Sequence, residues 1–287
     1  VSNDLSKDRL VIMPGYWFMY NMYALARNAY KYEQRDQRAY KFQRIEFDYL
    51  APDTVNEMFD AIKIFKAAQI NEKGEAIVSG WENSKRPVYI TKVAEATKWF
   101  EAMIELYAGL RLIRFIEENK IDKLNDLIKV LPARVSRTEW LNVGGQLILK
   151  KGVENLKKSI KSAKIKSWEQ VHAYYQSQGE SYDTDAWHHA LASYLELKKR
   201  KISDFNKTSI KDLLTFTLKK SEELNKLIYT SRQKDYTNPF RKMVYENDAE
   251  MNAVIGGLDD NSFIQEQKLA FTRLKKQINQ LIVSWKL

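Results

Sequence analysis

Segments with the period of amphipathic helices follow one another along most of the chain, and glycine or proline seldom interrupts them. Apolar residues recur three and four positions apart, as in Val55, Phe59 and Ile62 or Phe100 and Met103, which is the spacing of one helix face. The 287 residues include only 10 Gly and 5 Pro, too few for the many turns of an all-β fold. These patterns predict a mainly α fold, a bundle-like array of many helices with at most a small β hairpin or strand.

Cap residues and proline positions give the expected bounds of the helices. Thr54 with Glu57, Ser167 with Gln170, and Ser262 with Gln265 have the spacing of a capping box, and Thr91 is the expected cap of a long helix. A helix is expected to end before Pro132, because the residue that precedes a proline avoids the helical conformation. The helices are therefore expected over residues 17–38, 54–71, 91–119, 122–131, 151–163, 167–178, 184–200, 209–231 and 262–287.

Two weaker patterns predict the small β component. Ile45, Phe47 and Tyr49 alternate with charged residues, which is the period of a half-buried strand. Residues 76–79 and 87–90 are expected to pair as a hairpin across the polar segment 82–86. The β structure is therefore expected to be at most a small addition to a mainly α fold.

The organisation of the chain allows two descriptions. Residues 1–287 form a single mainly helical domain, or they are a C-terminal fragment of a larger protein, since the first residue is Val1 rather than Met. A sub-boundary is expected near residues 132–150, before a lysine-rich stretch. No repeat with a period of about 20–50 residues is visible, so a regular solenoid is not expected.

The chain is basic, with 47 Lys and Arg against 37 Asp and Glu and a formal net charge of +10. Such a surplus attracts anions such as nucleic acid, sugar phosphates or acidic headgroups, and it also keeps helical surfaces soluble. No uncharged apolar segment is long enough to span a bilayer, and no signal peptide is visible. We therefore expect a cytoplasmic protein that makes no membrane contact.

Cysteine is absent, which excludes disulfides, thiolate metal sites and a cysteine nucleophile. The three histidines are His172, His188 and His189, and the adjacent pair would point about 100° apart on a helix. The adjacent pair therefore cannot chelate one ion from one helix face. The prediction is that there is neither a metal site nor a cofactor.

Glycine and arginine clusters suggest that the chain binds an anionic small molecule. The pair Gly144-Gly145 lets backbone N–H groups approach a phosphate, although it is also typical of a tight turn between helices. Arg232 and Arg241 flank a turn signal, where guanidinium groups can bind phosphate bidentately or simply order a loop. The candidate ligand-binding residues are Asn21, Arg27, Asn28, Asn142, Gly144, Gly145, Gln146, Arg232, Lys234, Asn238 and Arg241.

A second hypothesis is an enzyme in which Glu46, Asp48 and Asp53 perform acid–base chemistry together with Arg27. The alternative explanation is an ion-pair network, in which these carboxylates satisfy a buried arginine and hold a helix to a loop. The residues alone leave both interpretations open.

A third hypothesis concerns the stretch Lys150–Lys166, which contains seven lysines and one glutamate and could neutralise nucleic-acid phosphates. Several of these lysines also have the spacing of a solvated helix face, and no helix-turn-helix or RNA-binding signature is present. Nucleic acid is therefore not the partner that we expect first. The last expected helix carries Leu274, Ile278 and Leu281, which suit either core packing or the seam of an oligomer.

Four stretches of the sequence resemble a known family. They are PGYWFMYNMYALARN at 14–28, EFDYLAPD at 46–53, NVGGQL at 142–147 and SRQKDYTNPFR at 231–241. The chain is similar there to the helical C-terminal part of large bacterial proteins described only as a domain of unknown function.

In those proteins the helical part follows a left-handed β-helix of hexapeptide repeats, like that of sugar-nucleotide pyrophosphorylases and acyltransferases. This chain shows no hexapeptide repeats of its own. The resemblance implies an accessory or assembly domain beside an upstream β-helix of the same protein, where it contributes a site for a phosphate or sugar nucleotide. It implies no catalytic residue.

Overall fold

The computed structural model describes residues 10–81 and 85–287. The first nine residues and residues 82–84 of the expected hairpin loop lie outside this range. The helices are α1 Met22–Arg35, α2 Pro52–Ala67, α3 Val93–Glu118, α4 Leu124–Val130, α5 Lys150–Lys161, α6 Trp168–Lys198, α7 Lys207–Thr237, α8 Pro239–Lys242, α9 Asp248–Ile255 and α10 Ser262–Ser284. The strands are β1 Leu10–Ile12, β2 Gln69–Ile70, β3 Ala76–Val78, β4 Val88–Ile90, β5 Trp140–Val143 and β6 Gln146–Leu149.

Helix α3 forms the centre of the fold. It packs against α2, α6 and α7, and residues 103–109 are buried without interruption. The one charged side chain in this segment, Glu105, pairs with Lys198 Nζ at 2.7 Å. The other residues of the segment have no polar side that suits water, except at Tyr107, so neighbouring elements must enclose it. The prediction of a mainly α fold is confirmed, and α10 packs on α7 with Ile278 buried, as expected for a core position.

The N-terminal part of the fold includes a small mixed sheet in the order β1-β4-β3-β2. The expected hairpin is confirmed, because β3 pairs with β4 in antiparallel register and Ile77 lies opposite Tyr89. Strand β1 adds to β4 in parallel. A second, two-stranded sheet joins β5 to β6 through Gly144-Gly145.

Several expected bounds were wrong for identifiable reasons. Residues 45–49 form no strand, because the alternating apolar side chains contact separate elements: Ile45 lies against Gly145, and Phe47 stacks on Tyr32 at 5.2 Å. The helices expected over 167–178 and 184–200 are one continuous helix, α6, because the intervening polar residues lie on its surface. The first expected helix begins as a 3-10 helix over Gly15–Asn21, and α1 starts only after the Asn21 cap.

Other corrections concern the helix caps. Thr54 is not the first cap of α2 but lies one turn inside it, where its hydroxyl accepts a hydrogen bond from the Ala51 N–H at 3.0 Å. Lys92, rather than Thr91, precedes α3 and adopts a positive φ of 53°. Asn261, rather than Ser262, caps α10 through its side chain.

None of the helices formed by the described residues combines the length and apolarity that a bilayer crossing requires.

Helices α3 and α7 cross at Gly109. A Cβ atom added to Gly109 would stand 1.7 Å from the Thr217 hydroxyl oxygen. Thr217 is fully buried, and its hydroxyl donates to the Leu213 carbonyl at 2.7 Å. The two backbones can therefore approach this closely only with glycine at position 109.

Gly109→Ala is expected to lower the free energy of unfolding by about 1–3 kcal/mol, because the new methyl group overpacks the crossing. Thr217→Ala should recover part of the loss in the double variant, since it removes the clashing hydroxyl. Urea unfolding followed by circular dichroism measures both effects.

Gly15→Ala is the matched control, because nothing lies within 4 Å of its added Cβ. It should leave stability unchanged within about 1 kcal/mol. Equal stability of Gly109→Ala and the parent would contradict the close crossing.

Candidate functional site

The expected ligand-binding residues fall into two separate groups. Those at the start of α1 and the end of α7 lie together, because the Tyr23 N–H donates to Ser231 Oγ at 2.9 Å. Lys234 Nζ also lies 3.5 Å from the Tyr20 carbonyl oxygen. The β5–β6 residues belong to the other group, which contacts residues 43–46 and α6. No contact among the described residues joins the two groups.

The first group is the Tyr23–Arg232 cluster, made of Tyr23, Arg27, Arg232, Lys234, Asp235, Tyr236 and Arg241. Two guanidinium groups contact the Tyr23 ring, with Arg27 Cζ at 5.8 Å and Arg232 Cζ at 5.0 Å from its centre. Arg232 Cζ also lies 5.3 Å from the Tyr236 ring. Rings that enclose a guanidinium in this way fix its position while leaving its edge free to bind.

Asp235 is the only carboxylate in this cluster. It accepts from Arg232 Nη1 at 2.6 Å and pairs with Arg241 Nη1 at 2.7 Å. Arg27 and Lys234 form no ion pair within the described part of the chain. Four cations thus share one negative charge, and the cluster keeps a surplus of positive charge.

Two buried polar atoms of the cluster have no hydrogen-bond partner, namely Arg232 Nε and the Tyr236 hydroxyl oxygen. Burial opposes the charge on Arg232, but the hydrogen bond to Asp235 and the two tyrosines outweigh it, and the net effect raises the pKa of Arg232. The guanidinium is therefore always charged, and its Nε–H is a donor without an acceptor. Unsatisfied buried donors are rare in folded proteins and call for an explanation.

The remaining polar residues near the cluster have local structural roles. Asn21 caps α1 by accepting from the Ala24 N–H at 3.4 Å, and Asn238 caps α8 by accepting from the Phe240 N–H at 2.9 Å. Asn28 is exposed on α1. These asparagines lie close to the cluster in sequence, but their visible function is to begin helices or to face solvent.

The glycine pair forms the turn of a β-hairpin rather than a turn between helices. Gly144 and Gly145 have φ values of 62° and 95°, which few other residues adopt. The Gly145 N–H donates to Asn142 Oδ1 at 2.8 Å, and its carbonyl accepts from the Glu46 N–H at 2.9 Å. The N–H of Gly145 that a phosphate would need is therefore already used inside the turn.

Gln146 is buried beside this turn. Its Nε2 donates to the Tyr175 carbonyl at 2.8 Å, whereas its Oε1 has no partner. The hydrogen bond of Gln146 Nε2 connects the β5–β6 hairpin to α6.

The carboxylates of the enzyme hypothesis meet a different arginine from the one expected. Arg111 on α3, which is 7% exposed, has Nη2 at 3.5 Å from Glu46 Oε2 and Nη1 at 3.5 Å from Asp183 Oδ1. The Tyr182 hydroxyl donates to Glu46, and Arg44 binds Asp183 through both guanidinium nitrogens. This arrangement, the Arg111 network, holds the loop at 44–46 between α3 and α6.

The Arg111 network does not include Arg27, which contacts Tyr23 instead. Asp48 is exposed, and its carboxylate accepts from the Leu50 N–H at 2.9 Å. Asp53 accepts from the Thr54 N–H in the first turn of α2, while burial raises its pKa. The pairing of these three carboxylates with Arg27 was wrong, and the alternative of an ion-pair network that holds a helix to a loop describes Glu46.

A buried histidine extends the polar interior towards α2. His189 is fully buried, with Nδ1 at 3.2 Å from the Tyr107 hydroxyl and Nε2 at 3.1 Å from Asn56 Oδ1. Asn56 Oδ1 also accepts from Arg137 Nη1 at 2.7 Å. Because Asn56 offers an acceptor, the neutral His189 carries its proton on Nε2, and its Nδ1 competes with the Ala186 carbonyl, at 3.1 Å, for the single proton of the Tyr107 hydroxyl.

Burial, followed by the positive charges of Arg137 and Arg111, lowers the pKa of His189 to about 3. Burial also raises the pKa of Tyr107 well above its usual range. At neutral pH both groups are therefore neutral, which matches their hydrogen bonds. Within the described residues, no group of three or more histidines and carboxylates could hold a metal ion.

The sequence analysis did not identify Arg111, Asp183 or His189 as members of a polar interior. Arg111 occurs in an apolar helix, and a charge at such a position is a signal that could have found it. His189 gave no comparable signal, because its partners Tyr107 and Asn56 are far away in the sequence.

Comparisons with known proteins found a family and a relative but assigned neither of them an activity. The family model described as a domain of unknown function (DUF6819) matches residues 126–285. An uncharacterized protein of Treponema pallidum (strain Nichols) is 30% identical over 289 residues, which cover 92% of this chain and 39% of that protein. The chain thus spans about two fifths of the length of this curated relative. No solved structure shows a significant match.

Arg111→Met is expected to lower the free energy of unfolding by about 3–5 kcal/mol, because it leaves the largely buried Glu46 carboxylate without a cation, whereas Asp183 keeps its pair with Arg44. Adding Glu46→Gln to this variant should restore part of the loss, since it removes one uncompensated charge. Chemical denaturation of the single and double variants measures the coupling.

Arg114→Met is the control for the Arg111 network, because Arg114 pairs with Asp183 at 3.3 Å but its side chain is 48% exposed. Its loss should cost less than about 1 kcal/mol. Equal costs for the two arginines would contradict a structural role that depends on burial.

The low pKa of His189 predicts acid sensitivity. The unfolded chain takes up a proton on this histidine near pH 6.5, whereas the folded protein resists it until about pH 3. The contribution of His189 to the free energy of unfolding is therefore greatest above about pH 6.5. It falls by about 2 kcal/mol as the pH is lowered to about 5. His189→Gln should remove this part of the pH dependence in urea unfolding, and the partly exposed His188→Gln should not.

Proposed function

We propose a function for this chain, which belongs to the DUF6819 family of domains of unknown function, from the contacts of the Tyr23–Arg232 cluster. The chain is a helical accessory domain that binds the anionic part of a phosphorylated small molecule, such as a sugar nucleotide. The observation that carries this proposal is the pair of buried donors, Arg232 Nε and the Tyr236 hydroxyl, which have no acceptor.

A phosphate group supplies the hydrogen-bond acceptors that both donors lack. Its oxygens accept several hydrogen bonds at once, and arginine presents parallel donors that match this geometry. Arg232 Nη1 donates a hydrogen bond to Asp235 at 2.6 Å, whereas its Nε–H remains available to a ligand. The Tyr236 hydroxyl, on the same helix one turn later, is the second donor that one anionic group could use.

The charge of the cluster supports an anion over a neutral ligand. Arg27, Arg232, Lys234 and Arg241 are balanced only by Asp235 within the cluster. An anion would relieve the repulsion between these cations as well as satisfy the donors, and both effects favour binding.

The proposal extends to the larger protein that a domain of this family can belong to. The Treponema relative is much longer than the region that it shares with this chain. We propose that the upstream part is a hexapeptide β-helix and that the cluster faces a ligand shared with it. Sequencing the complete reading frame tests this part, since an upstream region without hexapeptide repeats would contradict it.

The test of the binding site is calorimetric titration with UDP-glucose and with inorganic phosphate, with uridine as the uncharged comparison. UDP-glucose and phosphate should release or absorb heat and uridine should not. Arg232→Lys keeps the charge but removes the Nε donor, and Tyr236→Phe removes only the hydroxyl. Each should weaken binding about ten-fold, the usual value of a hydrogen bond to a charged group.

Lys226→Ala is the matched control on the same helix, because Lys226 is exposed and pairs with Glu222 at 3.2 Å outside the cluster. Its affinity should equal that of the parent. Absence of heat with the parent protein, or equal affinities for Arg232→Lys, Tyr236→Phe and the parent, would refute the proposal.

A further inference from the structure

Four aromatic rings from two distant parts of the chain form an exposed stack, which we define as Tyr40, Phe42, His172 and Trp168. Tyr40 and Phe42 are 5.7 Å apart with an interplanar angle of 11°, and Phe42 lies 4.9 Å from His172 at 8°. His172 is 6.4 Å from Trp168, which is tilted by 35°. Three rings are thus nearly parallel, and the fourth continues the series along α6.

The stack faces solvent rather than the core. Tyr40 is 76% exposed, Trp168 73% and Phe42 43%. Exposed aromatic rings held parallel to one another are a surface that costs solubility and that commonly marks a binding site. The two most exposed rings stand at the two ends, and each can accept another flat ring.

The lysine-rich stretch lies next to this stack. Lys166 and Trp168 line the same open groove as Leu156 and Ile160 of α5, and the groove has a volume of about 360 Å³. The groove between α5 and the start of α6 therefore combines apolar side chains with Lys166 beside the stack.

Most of this basic charge is available to a partner. Lys157, Lys158, Lys161 and Lys164 form no ion pair within the described residues, whereas Lys150 is paired with Glu139 at 2.5 Å. Between positions 150 and 172 the sequence holds seven lysines and two glutamates. A polyanion would find a strong positive field here.

We propose that this surface binds single-stranded nucleic acid, with bases stacked on Trp168 and Tyr40 and phosphates neutralised by the lysines. Single strands expose their bases, and aromatic side chains combined with a basic groove are the general means of holding them without sequence preference. A neutral carbohydrate could stack on the same rings, but it would gain nothing from the lysines. A duplex would meet the lysines, but its bases are already stacked on one another.

The site does not depend on the proposed phosphate-binding function. It shares no residue with the Tyr23–Arg232 cluster. The lysines alone had made nucleic acid only one of several hypotheses. The aromatic rings supply the second, independent observation.

The experiment is fluorescence anisotropy of labelled oligo-dT and oligo-U of about twelve nucleotides, a length within the usual range for such sites. Binding at low salt should weaken at least five-fold in Trp168→Ala and in Tyr40→Ala, because each removes a stacking partner. Lys164→Ala combined with Lys166→Ala should reduce the salt dependence by about 0.7 per lost phosphate contact. Glu169→Gln should tighten binding, because Glu169 is an opposing charge one residue from Trp168.

Phe240→Ala is the aromatic control, because Phe240 is 81% exposed but lies outside the stack. Lys275→Ala combined with Lys276→Ala, on α10, is the charge control, and Arg232→Lys tests for binding at the other site. All three should bind as the parent does. No anisotropy change at low salt, unaltered binding by Trp168→Ala and Tyr40→Ala, or equal affinity for a duplex of the same charge would overturn the proposal.

Discussion

The burial of Arg111 in the central helix imposes the main constraint on the surrounding structure. A charge on an otherwise enclosed helix must be met by other charges, and here Glu46 and Asp183 approach it from a loop and from α6. The loop is thereby held against the core without any regular secondary structure. Phe42, which lies just before this loop in the sequence, stacks over His172 on α6. The exposed aromatic stack therefore depends on the ion pairs that Arg111 forms inside the protein.

The two arginine clusters differ in how completely their buried guanidinium groups are paired with acceptors. Around Arg111, Glu46, Asp183 and the Tyr182 hydroxyl accept from both Nη atoms, and no buried Arg111 nitrogen is left without a partner within the described residues. Around Arg232, one carboxylate serves several cations, and a guanidinium N–H stays unsatisfied. The difference in satisfaction, rather than the number of arginines, separates a structural network from a candidate binding site.

The sequence predicts the parts of the fold that follow from local periodicity. The central helix and the hairpin between residues 76 and 90 were recognisable because their apolar patterns extend over neighbouring positions. The same reasoning misread residues 45–49, where the alternating apolar side chains contact separate elements rather than one face of a sheet. The helix break near residue 180 was wrong because a run of polar residues is equally compatible with the surface of a long helix.

Neither candidate site could be assembled from the sequence, because each combines residues from distant parts of the chain. Tyr23 and Arg27 meet Arg232, and Phe42 meets His172, across separations that no local pattern encodes.

The same separation bears on the family relationship. The family model matches residues 126–285, which include Arg232, Tyr236, Trp168 and His172 but not their N-terminal partners. The matched part alone therefore carries only half of each site. The similarity to the Treponema protein extends over 92% of the chain and so includes most of the segment that supplies the other half. A common function based on either site requires both segments, because the N-terminal loop and α1 complete what the matched helices only begin.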